Sequence, residues 1–193
     1  MTSPRGSRSR SRPRNRSSLT RGSDVRISAG RWKGRALEVP AGARPTSSRA
    51  REALFDILGP RIGGARVVDL HAGSGAVALE ALSRGAARAV LVDVDAAPAR
   101  RNVERLVAVD LMPMRMRMEV EVLETSATDA LRRLVSRGDR FDVVFSDPPY
   151  ADGPRPLELA SVLAPGGVLV VQTDAGATIA TPSGLRADGR RAY

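Results

Sequence analysis

Asp147-Pro148-Pro149-Tyr150 sets a carboxylate, two rigid rings and an aromatic side chain at the end of the apolar run Phe141-Asp-Val-Val-Phe-Ser146. A residue before proline is driven out of the helical region, and proline has no N–H. The local carbonyls and the Asp147 carboxylate therefore offer acceptors only, which suits a flat base carrying an exocyclic NH2 group. Taken alone, a Pro-Pro pair after a strand is also an ordinary turn.

A second motif narrows the chemistry. Val67-Val-Asp69-Leu-His-Ala-Gly73-Ser-Gly75-Ala-Val-Ala78 reads as a buried strand, a glycine turn and an apolar helix. Gly73-x-Gly75-x-x-Ala78 satisfies the loose dinucleotide fingerprint. Asp93 follows Gly75 by 18 residues, at the end of the apolar strand Ala89-Val-Leu-Val-Asp93, where a ribose-binding acid is expected. Asp69 separates the cofactors: its charge beside the turn would repel a pyrophosphate but favour the ammonium and sulfonium of S-adenosylmethionine.

The segments Arg26-Ile-Ser-Ala-Gly30-Arg-Trp-Lys-Gly34-Arg-Ala-Leu37, Arg44-Pro45-Thr46 and Arg51-Glu-Ala-Leu-Phe55-Asp-Ile-Leu58 precede these motifs. In this order, over roughly residues 25 to 175, the chain resembles the bacterial RsmD-type methyltransferases, which methylate a guanine N2 of small-subunit (16S) rRNA. The resemblance implies an S-adenosylmethionine-dependent enzyme acting on 16S rRNA within the 30S subunit or an assembly intermediate. It assigns Asp147, Pro148, Pro149 and Tyr150 to catalysis. Asp69, Gly73, Gly75 and Asp93 go to the methionine portion and ribose of the cofactor. Ser126 stands where the family often has a polar residue near the adenine; Asp129 competes for that role and a helix cap for the serine, as Asp95 competes with Asp93.

The chemistry so implied is an in-line displacement by a base nitrogen whose lone pair is delocalised into the ring. Hydrogen bonds from the NH2 to Asp147 and to the Pro148 carbonyl would favour a pyramidal amine. Tyr150 would stack on a flipped base, or pack under its own loop. An acid-Pro-Pro-aromatic motif orients an adenine N6 equally well, so an adenine methyltransferase on DNA or RNA is the alternative. An inactive RNA-binding homologue is a third. The chain departs from the family pattern at His71, usually phenylalanine there, which is expected to pack and whose titration would link cofactor binding to pH. It also departs in a shorter stretch between Tyr150 and Pro165, at Gln172, and in ending at Arg190-Arg-Ala-Tyr193, where the family continues into a last strand.

The elements that must carry these residues alternate. Strands are predicted near 65–70, 88–93, 118–124, 141–146 and 167–172, and helices near 75–84, 96–108, 127–137 and 156–164. This is an α/β, Rossmann-like, doubly wound and mainly parallel sheet, with its last strand expected to be missing. Met114, Met116, Met118, Val120 and Val122 alternate with charged residues, which predicts an edge strand. Before the sheet, a helix is predicted with Ala50, Ala53, Leu54, Ile57 and Leu58 on its buried stripe. Arg49 and Arg51 then lie on a solvated face or extend a basic surface.

Gly30 and Gly34 bracket Arg31-Trp32-Lys33 in a predicted small hairpin at 25–45, ahead of a core at 46–193. Arg31, Trp32, Lys33, Arg35 and Arg44 are the candidate RNA contacts, with Trp32 alternatively packing the hairpin onto the domain. Residues 1–51 carry 14 Lys or Arg against 2 Asp or Glu, leaving 17 against 19 in the remainder, so the whole +10 excess is N-terminal. Residues 1–24, rich in Arg, Ser and Pro, are expected to be a disordered tail, either a tether for a phosphate backbone or a dispensable extension. A length of 193 residues and an apolar content of 42% fit one methyltransferase domain over 25–193. Zero cysteines and one histidine imply no metal site. With no membrane span or secretory signal in the sequence, a cytoplasmic monomer is expected.

Overall fold

Val67 and Val68 are adjacent in the chain and pack on opposite sides of the sheet. Val67 joins a cluster with Phe55, Leu58, Leu79, Leu82 and Leu91, whereas Val68 joins one with Leu131, Leu134, Phe141 and Leu159. Successive strand residues point to opposite faces, so a run that is apolar at every position demands cover on both. The computed structural model describes residues 25–39, 48–107, 118–148, 155–173 and 177–190, and shows that cover. Each fully buried Leu or Val in these layers contributes about 1.5–3 kcal/mol of burial.

The elements are α1 (Ser48–Leu58), β1 (Arg66–Asp69), α2 (Ala76–Ser83), β2 (Arg88–Asp93), α3 (Ala97–Val107), β3 (Glu119–Glu124), α4 (Ala127–Ser136), β4 (Phe141–Ser146), α5 (Pro156–Ala160) and β5 (Leu163–Val171). The strand order is β3-β2-β1-β4-β5, and every pairing is parallel. β3 is the edge strand that the alternation of charged and apolar residues predicted. The order reverses between β1 and β4, where Asp69 stands opposite Phe145. A crevice opens at such a point, beyond the carboxyl ends of the strands.

Two expectations need correction. The last strand starts at Leu163, not near 167, and α5 ends at Ala160, not near 164. Leu163 pairs with Phe141 while Val168 pairs with Val143, so the Pro165-Gly166-Gly167 stretch is absorbed as a bulge within the strand. The buried side of α1 is Arg51, Phe55 and Leu58; Ile57 is half exposed at 52%. Arg51 is therefore no surface residue. It lies buried against Glu80 of α2, Nε to Oε2 3.7 Å, and its Nη2 donates to the Arg26 carbonyl at 2.6 Å.

The N-terminal hairpin is held by one antiparallel bridge, Arg26 with Ala36, and by the Gly34 N–H donating to the Ile27 carbonyl at 2.8 Å. It docks on α2. Glu80 accepts from Ser28 N (2.7 Å), Ser28 Oγ (2.7 Å), Ala29 N (3.0 Å) and Arg84 Nε (2.8 Å). Trp32, 5% exposed, packs into the cluster beneath, and its backbone N–H donates to Ser83 Oγ at 2.9 Å. Among the described residues no strand follows β5, and no helix is long and apolar enough to cross a membrane. The predicted tail at 1–24, Arg44, Pro149 and Tyr150 lie outside the described residues.

Candidate active site

Three carboxylates gather at the strand ends beside the switch in strand order. Asp69 closes β1, Asp93 closes β2 and Asp147 follows β4. Asp69 is 1% exposed and accepts a long bond from the His71 N–H at 3.4 Å. Burial raises its pKa to about 7, and the charges of Asp147 and Asp93 push the same way. Such a group favours a cationic partner and resists an anionic one.

The two glycines of the turn do different jobs. Gly75, at φ +78°, heads α2, and a Cβ there would stand 2.7 Å from Leu91 Cδ2 and 3.2 Å from Leu79 Cδ1. Its lack of a side chain lets α2 close on β2. Gly73, at φ +52°, has nothing within 4 Å of where a Cβ would lie, so its backbone faces open space that a ligand can enter. Gly75 is thus a packing position, whereas Gly73 leaves its side of the turn open.

Asp93 carries a role the sequence did not suggest. Its Oδ2 accepts from the Gly73 N–H at 2.7 Å and its Oδ1 from the Asp95 N–H at 3.1 Å, bracing the glycine turn. A carboxylate offers about four lone-pair sites, so capacity remains for ribose hydroxyls. Asp95 accepts from Ala97 N at 3.3 Å, at the start of α3. Ser126 caps α4, accepting from Asp129 N at 3.1 Å while its hydroxyl donates to Asp129 Oδ2 at 2.8 Å. The capping alternative for Ser126 is therefore realised, and Asp129 is drawn into the same cap and to Arg132.

His71 is partly buried beside this cluster, its Nδ1 3.3 Å from Ser146 Oγ. Burial holds its pKa below 6.5, with the Asp93 charge opposing, so the ring is neutral at pH 7 and fills space. Asp147 and Pro148 are partly exposed at the mouth. On the hairpin, Lys33 and Arg35 are exposed and Arg31 partly so. Trp32 is corrected: its buried ring packs the hairpin and presents no face for stacking.

Two further residues escaped sequence reasoning. Asn102 of α3, 1% exposed, donates to the carbonyls of Ser74 (2.9 Å) and Glu38 (2.8 Å) and accepts from Glu38 N at 2.8 Å, tying the glycine turn to the hairpin's exit. Glu80 anchors the hairpin. A lone acid inside the otherwise apolar Ala76-Val-Ala-Leu-Glu80-Ala-Leu was the available signal.

Comparison with known proteins gives the chain's relatives. The Escherichia coli (strain K12) ribosomal RNA small subunit methyltransferase D is 39% identical over 131 residues, spanning 67% of this chain and 62% of that protein. The chain thus matches less than two thirds of that relative's length. The Haemophilus influenzae protein of the same name is 33% identical over 167 residues, spanning 82% of this chain and 83% of that protein. Among solved structures, the Escherichia coli putative methyltransferase yhhF is similar at a TM-score of 0.68 and 32% identity, covering 82% of this chain and 86% of that chain. Residues 25–193 match the family described as conserved hypothetical protein 95. With the switch-point fold, the acid-tipped strands and these relatives in agreement, the chain belongs to that family, alongside the RsmD-type proteins.

Proposed function

We propose that this protein transfers a methyl group from S-adenosylmethionine to the exocyclic N2 amine of a guanine in 16S rRNA, presented in the 30S subunit or an assembly intermediate. The observation that carries the reading is the buried Asp69 carboxyl, raised to about 7 with Asp93 and Asp147 adding to its burden, beside the open backbone of Gly73. The relatives that support it are named for rRNA methylation.

S-adenosylmethionine, when bound, supplies a methyl group already activated on a sulfonium. The rest falls to the chain. Asp69 holds the ammonium of the methionine portion, directly or through water, and Gly73 admits its backbone-like end. Asp93 accepts from the ribose hydroxyls while keeping the turn in shape through the Gly73 N–H. Asp147 and the Pro148 carbonyl accept the two N–H bonds of the guanine amine, which frees its lone pair from the ring and aims it at the methyl. The methylated nitrogen is acidic and releases its proton to Asp147 or to water. Pro149 keeps that surface free of donors, and Tyr150 stacks on the flipped base. Arg31, Lys33, Arg35 and Arg44 contact RNA, with the basic residues 1–24 acting as a tether.

The test is transfer of labelled methyl to 30S subunits lacking the modification, with naked rRNA and DNA alongside, read by nucleoside mass spectrometry. N2-methylguanine is expected, with a loss of about a hundredfold to a thousandfold in Asp147→Ala, the scale of removing a group that acts on the developing charge. N6-methyladenine would transfer the same site to the alternative substrate. Absence of label with every nucleic acid, from folded protein that still binds the donor, would overturn the proposal.

A further inference from the structure

A groove of about 530 Å³ runs between the hairpin and α3, away from the strand-end carboxylates. Its walls are Arg26, Arg35 and Ala36 on one side and Arg105 on the other, with Asn102 among the lining residues. Among the described residues no carboxylate lines it. Glu38, two residues after Ala36, is paired with Arg101, Nη2 to Oε1 2.7 Å, and also feels the charge of Arg105. Arg26 is steadied by donating to the Gly34 carbonyl at 2.9 Å. Arg35 and Arg105 are exposed, and neither pairs with a carboxylate among the described residues.

We infer that this groove takes the sugar-phosphate backbone of the RNA substrate at a point remote from the reacting base. The guanidiniums of Arg26, Arg35 and Arg105 line one channel, and the Glu38 carboxylate that feels Arg105 is bound to Arg101, so the channel favours an extended polyanion over a neutral or cationic ligand. The location fits a second contact: α3 starts at the mouth with Ala97, and Arg105 lies about 12 Å further along the helix axis. Asn102 joins the two places, since the same amide that lines the groove holds the Ser74 carbonyl of the glycine turn. The groove extends beyond the hairpin cations noted in the sequence, because Arg105 comes from the sheet domain and opposes them. The inference rests on the RNA-methyltransferase reading and deepens it by naming where the backbone is gripped.

The full chain would be titrated with a 16S rRNA fragment and with duplex DNA of equal length over a range of salt, comparing wild type with Arg35→Ala/Arg105→Ala. Each phosphate contact removed lowers the slope of log affinity against log salt by about 0.7–0.9. The double variant is therefore expected to lose about 1.5 from the slope for RNA, with S-adenosylmethionine affinity unchanged. Arg105→Gln alone, an exposed change on a helix surface, should lose about half as much, and Arg35→Lys/Arg105→Lys should keep the slope. An unchanged slope in Arg105→Gln and in the double variant would overturn the groove. So would a preference of the groove arginines for DNA over RNA. If the slope falls as expected while wild type methylates no RNA, the groove stands and the proposed reaction falls.

Discussion

Asp69 and Glu80 are both buried carboxylates, at 1% and 0% exposure, yet their surroundings are opposite. Glu80, in the seam between the hairpin and α2, has four hydrogen-bond donors within 3.0 Å and two arginines beside it. Asp69, at the strand ends, accepts only backbone bonds, at 3.4 Å from the His71 N–H and from Ala78, and has the like charges of Asp93 and Asp147 for neighbours. A buried charge must be compensated. At Glu80 the chain compensates it, so the charge is part of the fold. At Asp69 the compensation is incomplete, which on the proposed reading is made good by the cationic cofactor.

The sharpest way to break this contrast is to remove Glu80. Glu80→Ala leaves buried Arg51 without its countercharge and strips the hairpin of three donors' acceptor. The expected loss is about 3–5 kcal/mol, the range for breaking a buried pair by deleting one partner. Denaturant unfolding reads the loss, and limited proteolysis reads release of the segment near Ser28. A loss below about 1 kcal/mol would mean that Glu80 is no anchor and that the two carboxylates are alike.

Asp69→Asn should do the reverse, weakening binding while sparing the fold. S-adenosylmethionine affinity should drop about tenfold to a hundredfold, the worth of a hydrogen bond to a charged group. Stability at pH 8 should not fall, because the amide relieves a buried charge. Calorimetry separates the two effects. A destabilised variant with intact affinity would sink the assignment.

The pH dependence sharpens the same point. Asp69 shifts upward, from 3.8 to about 7, so between those values the folded state holds a proton that the unfolded state has released. This group's contribution to stability is therefore greatest at low pH, declines as pH rises from about 4 to about 7, and levels off above. Cofactor binding should run the other way. A cationic ligand prefers the ionised carboxylate, so affinity should rise with pH by up to about tenfold per unit below 7. His71, lowered by burial, lies beside the same cluster, and the charges of Asp147 and Asp93 add to the upward shift of Asp69. Asp69→Asn should flatten the part centred near pH 7; an identical profile in the variant would transfer the titration to His71.

The placing of the strand-end carboxylates and the glycine turn was largely legible because strand ends and glycine turns are local patterns. Asp69, Gly73, Gly75, Asp93 and Asp147 could each be located from the residues flanking them. What escaped depends on contacts between distant segments. Arg51 looked exposed because α1 was phased by its aliphatic residues, whereas burial follows Phe55 and the Glu80 countercharge, 29 positions from Arg51 in the chain. Trp32 offered two readings, and docking onto α2 decided for packing. β5 began early because a Pro-Gly-Gly run looks like a loop and is accommodated as a bulge only with Phe141 and Val143 alongside.

The opposite end of the sheet gives the smallest expected effect and so marks the other limit of the contrast. There the carboxylates are matched in the open: Asp142 accepts from Arg66 N at 2.8 Å and from its Nε and Nη2 at 3.2 Å, and Asp139 and Glu121 share Arg88 and Arg137. The Arg66 hydrogen bond leads in holding Asp142 below its usual value, so its contribution is present above pH 3.8 and lost as pH falls through the lowered value. Both side chains are over a third exposed, at 45% and 39%, so water and salt screen the pair. Asp142→Asn keeps an acceptor for the Arg66 N–H and should cost about 0.5 kcal/mol at neutral pH. That cost should shrink in 1 M salt, and S-adenosylmethionine affinity should stay at the wild-type value. A cofactor defect in this variant would show that the two ends of the sheet are coupled, and that the division between a compensated end and an uncompensated one is too simple.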